Sequence, residues 1–246
     1  VEKPMMYYRN NVNALMHVLD YVTSNPSCAC IFSSSCTVYG QADHLPISEA
    51  APMKQAESPY GMTKQIGESM LTDAAKAYGL KVTALRYFNP IGAHPSALIG
   101  ELPLGPPQNL VPFITQSAAG LRGPLQVYGK DYPTADGTAV RDYIHVVDLA
   151  LAHIAAMDHL MRQEGGDMHV FNLGTGKGSS VLSVIQAFED ATGTALSWAF
   201  APRRAGDVVA AYADTERAAS VLGWRAQRSL ADSMKDAWRW QEGLPS

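Results

Sequence analysis

Tyr60-Gly-Met-Thr-Lys64 puts a phenol and an ammonium four residues apart near the start of a helical stretch. At that spacing the two side chains share one helix face, one turn apart. A tyrosine titrates near 10, so acting as a base near pH 7 requires lowering its pKa by about three units, or about 4 kcal/mol. A cation at roughly 4–5 Å contributes about 3–4 kcal/mol at an effective dielectric of 20. Lys64 alone nearly suffices. The same spacing also recurs by chance on ordinary helix surfaces, so the surroundings decide its meaning. Ser35 ends the polar run Ser33-Ser34-Ser35 that follows the apolar stretch Cys28–Phe32. That pattern reads as a buried strand opening into a polar mouth, and open α/β sheets bind ligands at the carboxyl ends of their strands. A serine there can donate to a substrate oxygen while that oxygen exchanges a proton with Tyr60; the bland reading is a strand terminus or a helix cap.

The elements that must position these groups are legible. Ser58-Pro59 opens a helix over Tyr60–Tyr78 and Gly79 closes it. Lys81–Phe88 is β-branched and aromatic, hence a strand, and Val12–Val22 carries the apolar rhythm of an amphipathic helix. Helix and strand alternate, which predicts a parallel sheet with right-handed crossovers. Residues 90–108 are rich in Gly and Pro and read as irregular. Beyond them the pattern predicts a helix over Asn109–Leu121, a strand over Leu125–Tyr128, a loop over 130–138 and a strand over Val140–Val147. A helix over Asp148–Met161 capped by its Asp, a strand over His169–Leu173 and a helix over Ser180–Thr192 follow. A strand over Ala195–Phe200 and two short helices around Trp224 and Trp238 end the reading.

Composition narrows the function classes. With 246 residues, 47% hydrophobic content and a net charge of −4, the chain can bury a substantial core and is not disordered. Residues 21–42 lack charge but are full of Ser, Thr, Asn and Gln, and residues 102–121 hold Pro103, Pro106, Pro107 and Pro112, so no membrane span is expected. Nineteen basic residues against 23 acidic argue against nucleic acid as a partner. Cys28, Cys30 and Cys36 fit no zinc spacing and no disulfide framework, so no metal site is expected and the thiols read as reduced. No secretory apolar region follows the start, and the expected location is the cytoplasm.

Five motifs now carry a resemblance. S-S-S-C-T-V-Y-G (33–40), Y-G-M-T-K (60–64), R-Y-F-N-P-I-G-A-H-P (86–95), D-G-T-A-V-R-D-Y-I-H-V (136–146) and A-P-R-R-A-G-D (201–207) resemble the UDP-glucose 4-epimerases, within the extended short-chain dehydrogenase/reductases. The match runs in order over essentially the whole chain. The resemblance implies an α/β fold with a Rossmann-like parallel sheet, N-terminally truncated, and a smaller mixed α/β substrate lobe. Residues 1–89 would be the remaining part of the NAD-binding domain, and 90–246 mainly the nucleotide-sugar lobe, with segments from about 140–180 returning to the first. It implies Tyr60 as catalytic base, Lys64 as its electrostatic partner and nicotinamide-ribose ligand, and Ser35 as partner of the substrate hydroxyl. Asn10 and Phe88 match cofactor-contacting positions, with NAD as the cofactor and its charged ring supplying what Lys64 leaves. Asn89, Asn109, Leu110, Arg141, Arg204 and Asp207 match positions that hold the diphosphate, uracil and ribose of a UDP-hexose; fork-shaped guanidinium donors suit phosphates. The implied reaction is reversible inversion at C4 through a 4-keto sugar, and the implied assembly is a homodimer through Val12–Val22 and Gln65–Tyr78.

Departures from the family pattern matter as much. The glycine-rich phosphate turn, the first strand and the acidic ribose-binding residue of the family would precede Val1, so this chain alone is expected to retain little NAD, and an inactive UDP-sugar-binding fragment is the alternative. Gly174-Thr-Gly-Lys-Gly-Ser179 follows a strand and precedes a helix, but reads G-x-G-x-x-S and fails both dinucleotide and Walker spacings. Ala211 stands where some members carry a tyrosine against the sugar's 2-substituent, which implies acceptance of UDP-N-acetyl sugars. Nucleotide-sugar 4,6-dehydratases carry an Asp-Glu pair in S-T-D-E-V-Y-G, where this chain has Cys36 and Thr37, so elimination lacks its proton carriers. A UDP-pentose or UDP-uronate 4-epimerase, whose substrates differ at C5, remains open.

Overall fold

The computed structural model describes residues 3–25, 27–204 and 206–244. The chain forms two compact units. The first takes the chain up to Phe88 together with Leu151–Leu173 and Ala213–Arg225; the second takes Asn89–Ala150, Gly174–Tyr212 and the chain from Ala226 onward.

Helix α1 (Pro4–Tyr7) runs through a π-helical stretch, Tyr8–Asn13, into α2 (Ala14–Ser24). α2 buries Leu15, Leu19 and Val22, one apolar stripe of an amphipathic helix. β1 (Ala29–Ser35), α3 (Pro59–Tyr78) and β2 (Lys81–Tyr87) follow. The two strands pair in parallel, with Ser35 opposite Tyr87. α3 begins as its sequence dictates: the Ser58 hydroxyl accepts the Gly61 N–H at 3.1 Å and Pro59 occupies the first turn. It stops at Gly79, whose φ of 66° suits glycine. Gly67 has a different role, since a Cβ there would lie 2.6 Å from the Phe32 ring. The missing side chain lets α3 press onto β1. Leu15, Leu19, Val22, Leu71, Leu80 and Val82 pack as one buried cluster, and each fully buried leucine contributes about 2 kcal/mol.

β3 (Asn89–Ile91), α4 (Leu110–Ala118), β4 (Leu125–Tyr128), β5 (Val140–Arg141) and β6 (Tyr143–His145) come next. Three expectations are corrected here. Asn89–Ile91 pairs in parallel with β6, although the glycine- and proline-rich composition beyond it predicted irregular chain from Pro90. Val140–Val147 is not one strand. At Asp142 the backbone changes partners, its N–H donating to Ala211 O at 3.0 Å and its carbonyl accepting the Asn89 N–H at 3.0 Å. One residue thus hands the chain from one small sheet to another. α5 (Val146–Met161) then starts two residues ahead of Asp148, which does not cap it. The Asp148 carboxylate instead accepts the Gln227 and Arg228 N–H groups at 2.9 and 2.7 Å and the Arg228 guanidinium at 2.5 Å.

β7 (Met168–Leu173) joins β2 in parallel, giving the order β1-β2-β7 in the first unit. β8 (Ser179–Ser180), α6 (Val181–Thr192), β9 (Trp198–Ala201), β10 (Ala210–Ala211) and α7 (Leu230–Glu242) follow. The strand expected from Ala195 therefore begins at Trp198, and a π-helical stretch, Ala218–Leu222, lies ahead of Trp224. In the second unit β10, β5 and β8 form one sheet and β4 and β9 another. Ile114, Val127, Phe188 and Met234 lie at the heart of its core. Among the described residues, no helix is long and apolar enough to cross a membrane, and no group of three or more His, Cys, Asp or Glu is placed to hold a metal ion.

Candidate active site

Ser35, Tyr60 and Lys64 meet within the first unit, at the carboxyl end of β1. Ser35 is buried, and its Oγ accepts the Thr37 N–H at 3.3 Å as the chain turns into the short 3-10 helix Cys36–Tyr39. The same hydroxyl hydrogen-bonds the Tyr60 phenol. Lys64 Nζ donates to the Ser33 carbonyl at 2.8 Å and stands 5.3 Å from the Tyr60 ring centroid and 5.1 Å from that of Phe32. Thr37 Oγ1 is buried and has no hydrogen-bond partner among the described residues. A polar ligand group would satisfy it.

The electrostatics run against the simple arithmetic of one phenol and one ammonium. Burial pushes the Tyr60 phenol up, Tyr87 and Cys36 add to that, and the Ser35 hydrogen bond pulls it down. Burial also pushes the Lys64 ammonium down. The lysine thus turns toward a carbonyl and loses charge preference while its partner loses solvent. Desolvation outweighs the pairing that the spacing promised.

The remaining cofactor candidates differ in setting. Phe88 is buried just past β2, its N–H donating to Leu173 O at 3.1 Å. Asn10 is exposed on the π-helical stretch, whereas its neighbour Asn11 donates to Thr63 Oγ1 at 2.9 Å. Tyr7, which sequence reasoning missed, presents its ring to Tyr60 edge-on at 6.5 Å between centroids.

A separate cleft of 590 Å³ lies in the second unit, and Asn89, Asn109, Leu110, Arg141, Arg204 and Asp207 all line it. Asp207 is its electrostatic centre. Arg204 Nε lies 3.1 Å from Asp207 Oδ2, and Arg141 Nη2 lies 3.8 Å from Asp207 Oδ1. The N-terminal residues of α4 also line the cleft, and among the described residues no side chain caps that helix; the Asn109 amide donates to Glu101 Oε1 at 2.8 Å. First-turn N–H groups and two guanidinium forks make the cleft suited to an anion. Ala211 does not line it; it lies in β10 opposite Arg141. Ala205, inside the 201–207 motif, lies outside the described residues.

Tyr128 and Tyr143 also line the cleft and were not anticipated. The Arg204 guanidinium lies 4.9 Å from the Tyr128 ring centroid, and burial pushes the Tyr143 phenol up to about 12. The alternation of Leu125-Gln-Val-Tyr128, in which Leu125 and Val127 are buried, was the available signal that Tyr128 faces outward.

The Gly174–Ser179 loop has a structural task. The Asp142 carboxylate accepts the Thr175 N–H at 2.8 Å, the Thr175 hydroxyl at 2.7 Å and the Gly176 N–H at 3.1 Å. The N–H groups that a phosphate would need are already used. Asp142→Ala is expected to destabilise the protein by about 3 kcal/mol, since it strips three bonds from a buried carboxylate site. Thermal unfolding checks this, and an unchanged melting temperature would return the loop to candidacy as an anion cradle.

Comparison with known proteins agrees in direction. Residues 1–174 match the NAD dependent epimerase/dehydratase family. Over 246 residues the chain is 49% identical to a UDP-glucose 4-epimerase of Yersinia pestis, covering 100% of this chain and 72% of that one. It is similar to the structure of a UDP-glucose-4-epimerase from Stenotrophomonas maltophila with bound NAD and formylated UDP-arabinopyranose, with a TM-score of 0.93, 46% identity, and coverage of 98% of this chain and 71% of that one. A UDP-glucose 4-epimerase from Bifidobacterium longum in complex with NAD+ and UDP matches with a TM-score of 0.92 and 45% identity, over 98% of this chain and 72% of that one.

Proposed function

This chain belongs to the NAD dependent epimerase/dehydratase family, among the UDP-glucose 4-epimerases, and from that premise we propose that it inverts C4 of a UDP-hexose, interconverting UDP-glucose and UDP-galactose. The Ser35–Tyr60–Lys64 cluster carries this reading. Tyr60, as phenolate, accepts the proton of the sugar 4-hydroxyl, and Ser35, whose single hydrogen meets the Tyr60 phenol in the free protein, turns to donate to that sugar oxygen. Lys64 stabilises the phenolate and keeps two ammonium hydrogens beyond the one given to Ser33. Those hydrogens and the unpartnered Thr37 Oγ1 suit the nicotinamide end of NAD, which Lys64, Asn10 and Phe88 would hold. When bound, NAD supplies reversible acceptance of the C4 hydride and a positive ring charge.

Arg141 and Arg204 grip the diphosphate, with Asn89, Asn109 and Leu110 around the nucleotide and Asp207 accepting ribose hydroxyl hydrogens. Inversion requires that the hydride taken from C4 return to the opposite face of the 4-keto sugar while the Tyr60 phenol gives its proton back to the C4 oxygen. A coupled assay of UDP-galactose conversion in the presence of NAD tests the reading. Interconversion is expected, and UDP binding without turnover would favour a binding protein instead. A panel with UDP-pentoses and UDP-uronates fixes the substrate at C5.

Ala211 extends the reading to UDP-N-acetyl sugars. Ala211→Tyr adds bulk at a half-buried position, where overpacking costs about 1–3 kcal/mol. The expected result is a drop of about tenfold or more in kcat/KM for UDP-N-acetylgalactosamine, with UDP-galactose changed by less than about threefold. Equal losses for both sugars would reject this specificity role. A cytoplasmic location belongs to the same reading, supported by three cysteines that form no disulfide. So does a homodimer, supported by the exposed Met16, Val18 and Tyr21 on α2.

A further inference from the structure

Ser34, Arg86 and Asn172 occupy one row across the three-stranded sheet, Ser34 opposite Arg86 and Arg86 opposite Asn172. The next row toward the carboxyl ends is Ser35, Tyr87 and Leu173. The first row is polar yet dry: Ser34 and Asn172 are 0% exposed, Arg86 5%, and the attached Glu68 and Tyr39 1% and 0%. Ser34 Oγ donates to Glu68 Oε1 at 2.5 Å. Arg86 Nε donates to the same oxygen at 2.9 Å, and Nη2 donates to Oε2 at 2.5 Å. Arg86 Nη1 donates to the Tyr39 hydroxyl at 2.9 Å, which in turn donates to Asn172 Oδ1 at 2.6 Å.

Stability gives no reason for such a net. Two charges removed from water lose most of what their attraction returns, and apolar replacements of similar volume are often as stable or more so. Its location gives a better one. Ser34 sits between Ser33, whose carbonyl takes the Lys64 ammonium, and Ser35, whose hydroxyl meets Tyr60. Glu68 continues the α3 face that bears Tyr60 and Lys64, one turn beyond the lysine.

We propose that the Ser34–Glu68–Arg86 net is a positioning device for proton transfer, locking α3 against the end of β1 so that Tyr60 meets Ser35 and Lys64 meets Ser33. It rests on the epimerase reading given above. Tyr60 is faced by Lys64 on its own helix, Tyr87 on β2, Ser35 and Cys36 where β1 ends, and Tyr7 on α1. Of these, the Ser35 hydrogen bond is the contact that pulls the phenol down, and a slipped register weakens it.

Ser34→Ala deletes a single hydroxyl. In a tyrosinate absorbance titration, with the Tyr60→Phe spectrum subtracted, the Tyr60 phenol is expected to titrate higher by about one pH unit, and kcat to fall about tenfold as the phenolate fraction drops. KM for UDP-galactose should hold. On the Ser34→Ala background, which leaves no buried hydroxyl without a partner, the double variant Glu68→Met with Arg86→Met removes both charges at similar volume; it should melt no lower than wild type and still lose kcat about tenfold or more. An unchanged titration in Ser34→Ala, or wild-type kcat in the double variant, overturns the proposal and leaves the net as packing. The optical titration needs no turnover, so it decides the matter even if wild-type protein fails to interconvert the sugars and the epimerase reading falls.

Discussion

Tyr60→Phe is expected to lower kcat by about 10³-fold, while leaving the dissociation constant for UDP within about twofold of wild type. The phenol is half-buried, hydrogen-bonded to Ser35, and stands over a lysine whose ammonium is held by a backbone carbonyl. Phenylalanine keeps the ring, and with it the edge contact to Tyr7, but removes the oxygen that accepts the proton. Packing therefore survives and chemistry does not. The pH dependence sharpens the test. Burial raises the phenol above its ordinary value, so at neutral pH only a minor fraction is phenolate, and kcat/KM of the wild type should climb with pH until that pKa is reached. The residual activity of Tyr60→Phe should lose this climb. Steady-state kinetics across pH 6–10, with calorimetric UDP titration beside them, measure both. A variant retaining more than about a tenth of wild-type kcat would remove Tyr60 from the reaction.

The two groups of that cluster were not equally legible. Ser58-Pro59 and Gly79 bracket α3 through rules that act within a few residues, so the helix and the phase of Tyr60 and Lys64 followed directly. The direction of the Tyr60 shift did not follow, because desolvation depends on how deeply Gly67 lets α3 settle on β1, a tertiary quantity. Glu68 and Arg86 were invisible for the same reason: a Glu on a helix and an Arg in a strand read as solvated until the register of β1 and β2 aligns Ser34 with Arg86. Asp148 shows the limit of local capping rules. It sits where a cap is expected, yet its carboxylate serves backbone N–H groups nearly eighty positions away. Asp142 likewise interrupts a run whose β-propensity is continuous, since a change of sheet partners leaves no mark on propensity. The cleft residues Arg141, Arg204 and Asp207, by contrast, were reached through motif resemblance, and the structure gathers them around one cavity.

Within that cavity the two arginines should not contribute equally. The side chain of Arg141 is 17% exposed and that of Arg204 54%. Charge-assisted hydrogen bonds to a ligand phosphate are worth about 1.5–3 kcal/mol when little water competes. Exposed pairs fall to about 0.2–1 kcal/mol because solvent screens them and long side chains lose freedom. Arg141→Met is therefore expected to weaken UDP binding by about 10- to 100-fold, and Arg204→Met by no more than about fivefold. Both should act on KM rather than kcat, since the diphosphate is held alike in the ground and transition states. Raising ionic strength from about 50 to 500 mM should erode the Arg204 contribution first, because screening acts on exposed charges. Asp207 constrains the interpretation: it keeps Arg204 at 3.1 Å after Arg141 is removed, so it is not left as an unpaired buried charge. The loss measured for Arg141→Met then reports the ligand contact and not a collapsed cleft. If Arg204→Met costs more than Arg141→Met at both salt concentrations, burial is not what ranks the two grips, and the diphosphate lies elsewhere in the cleft.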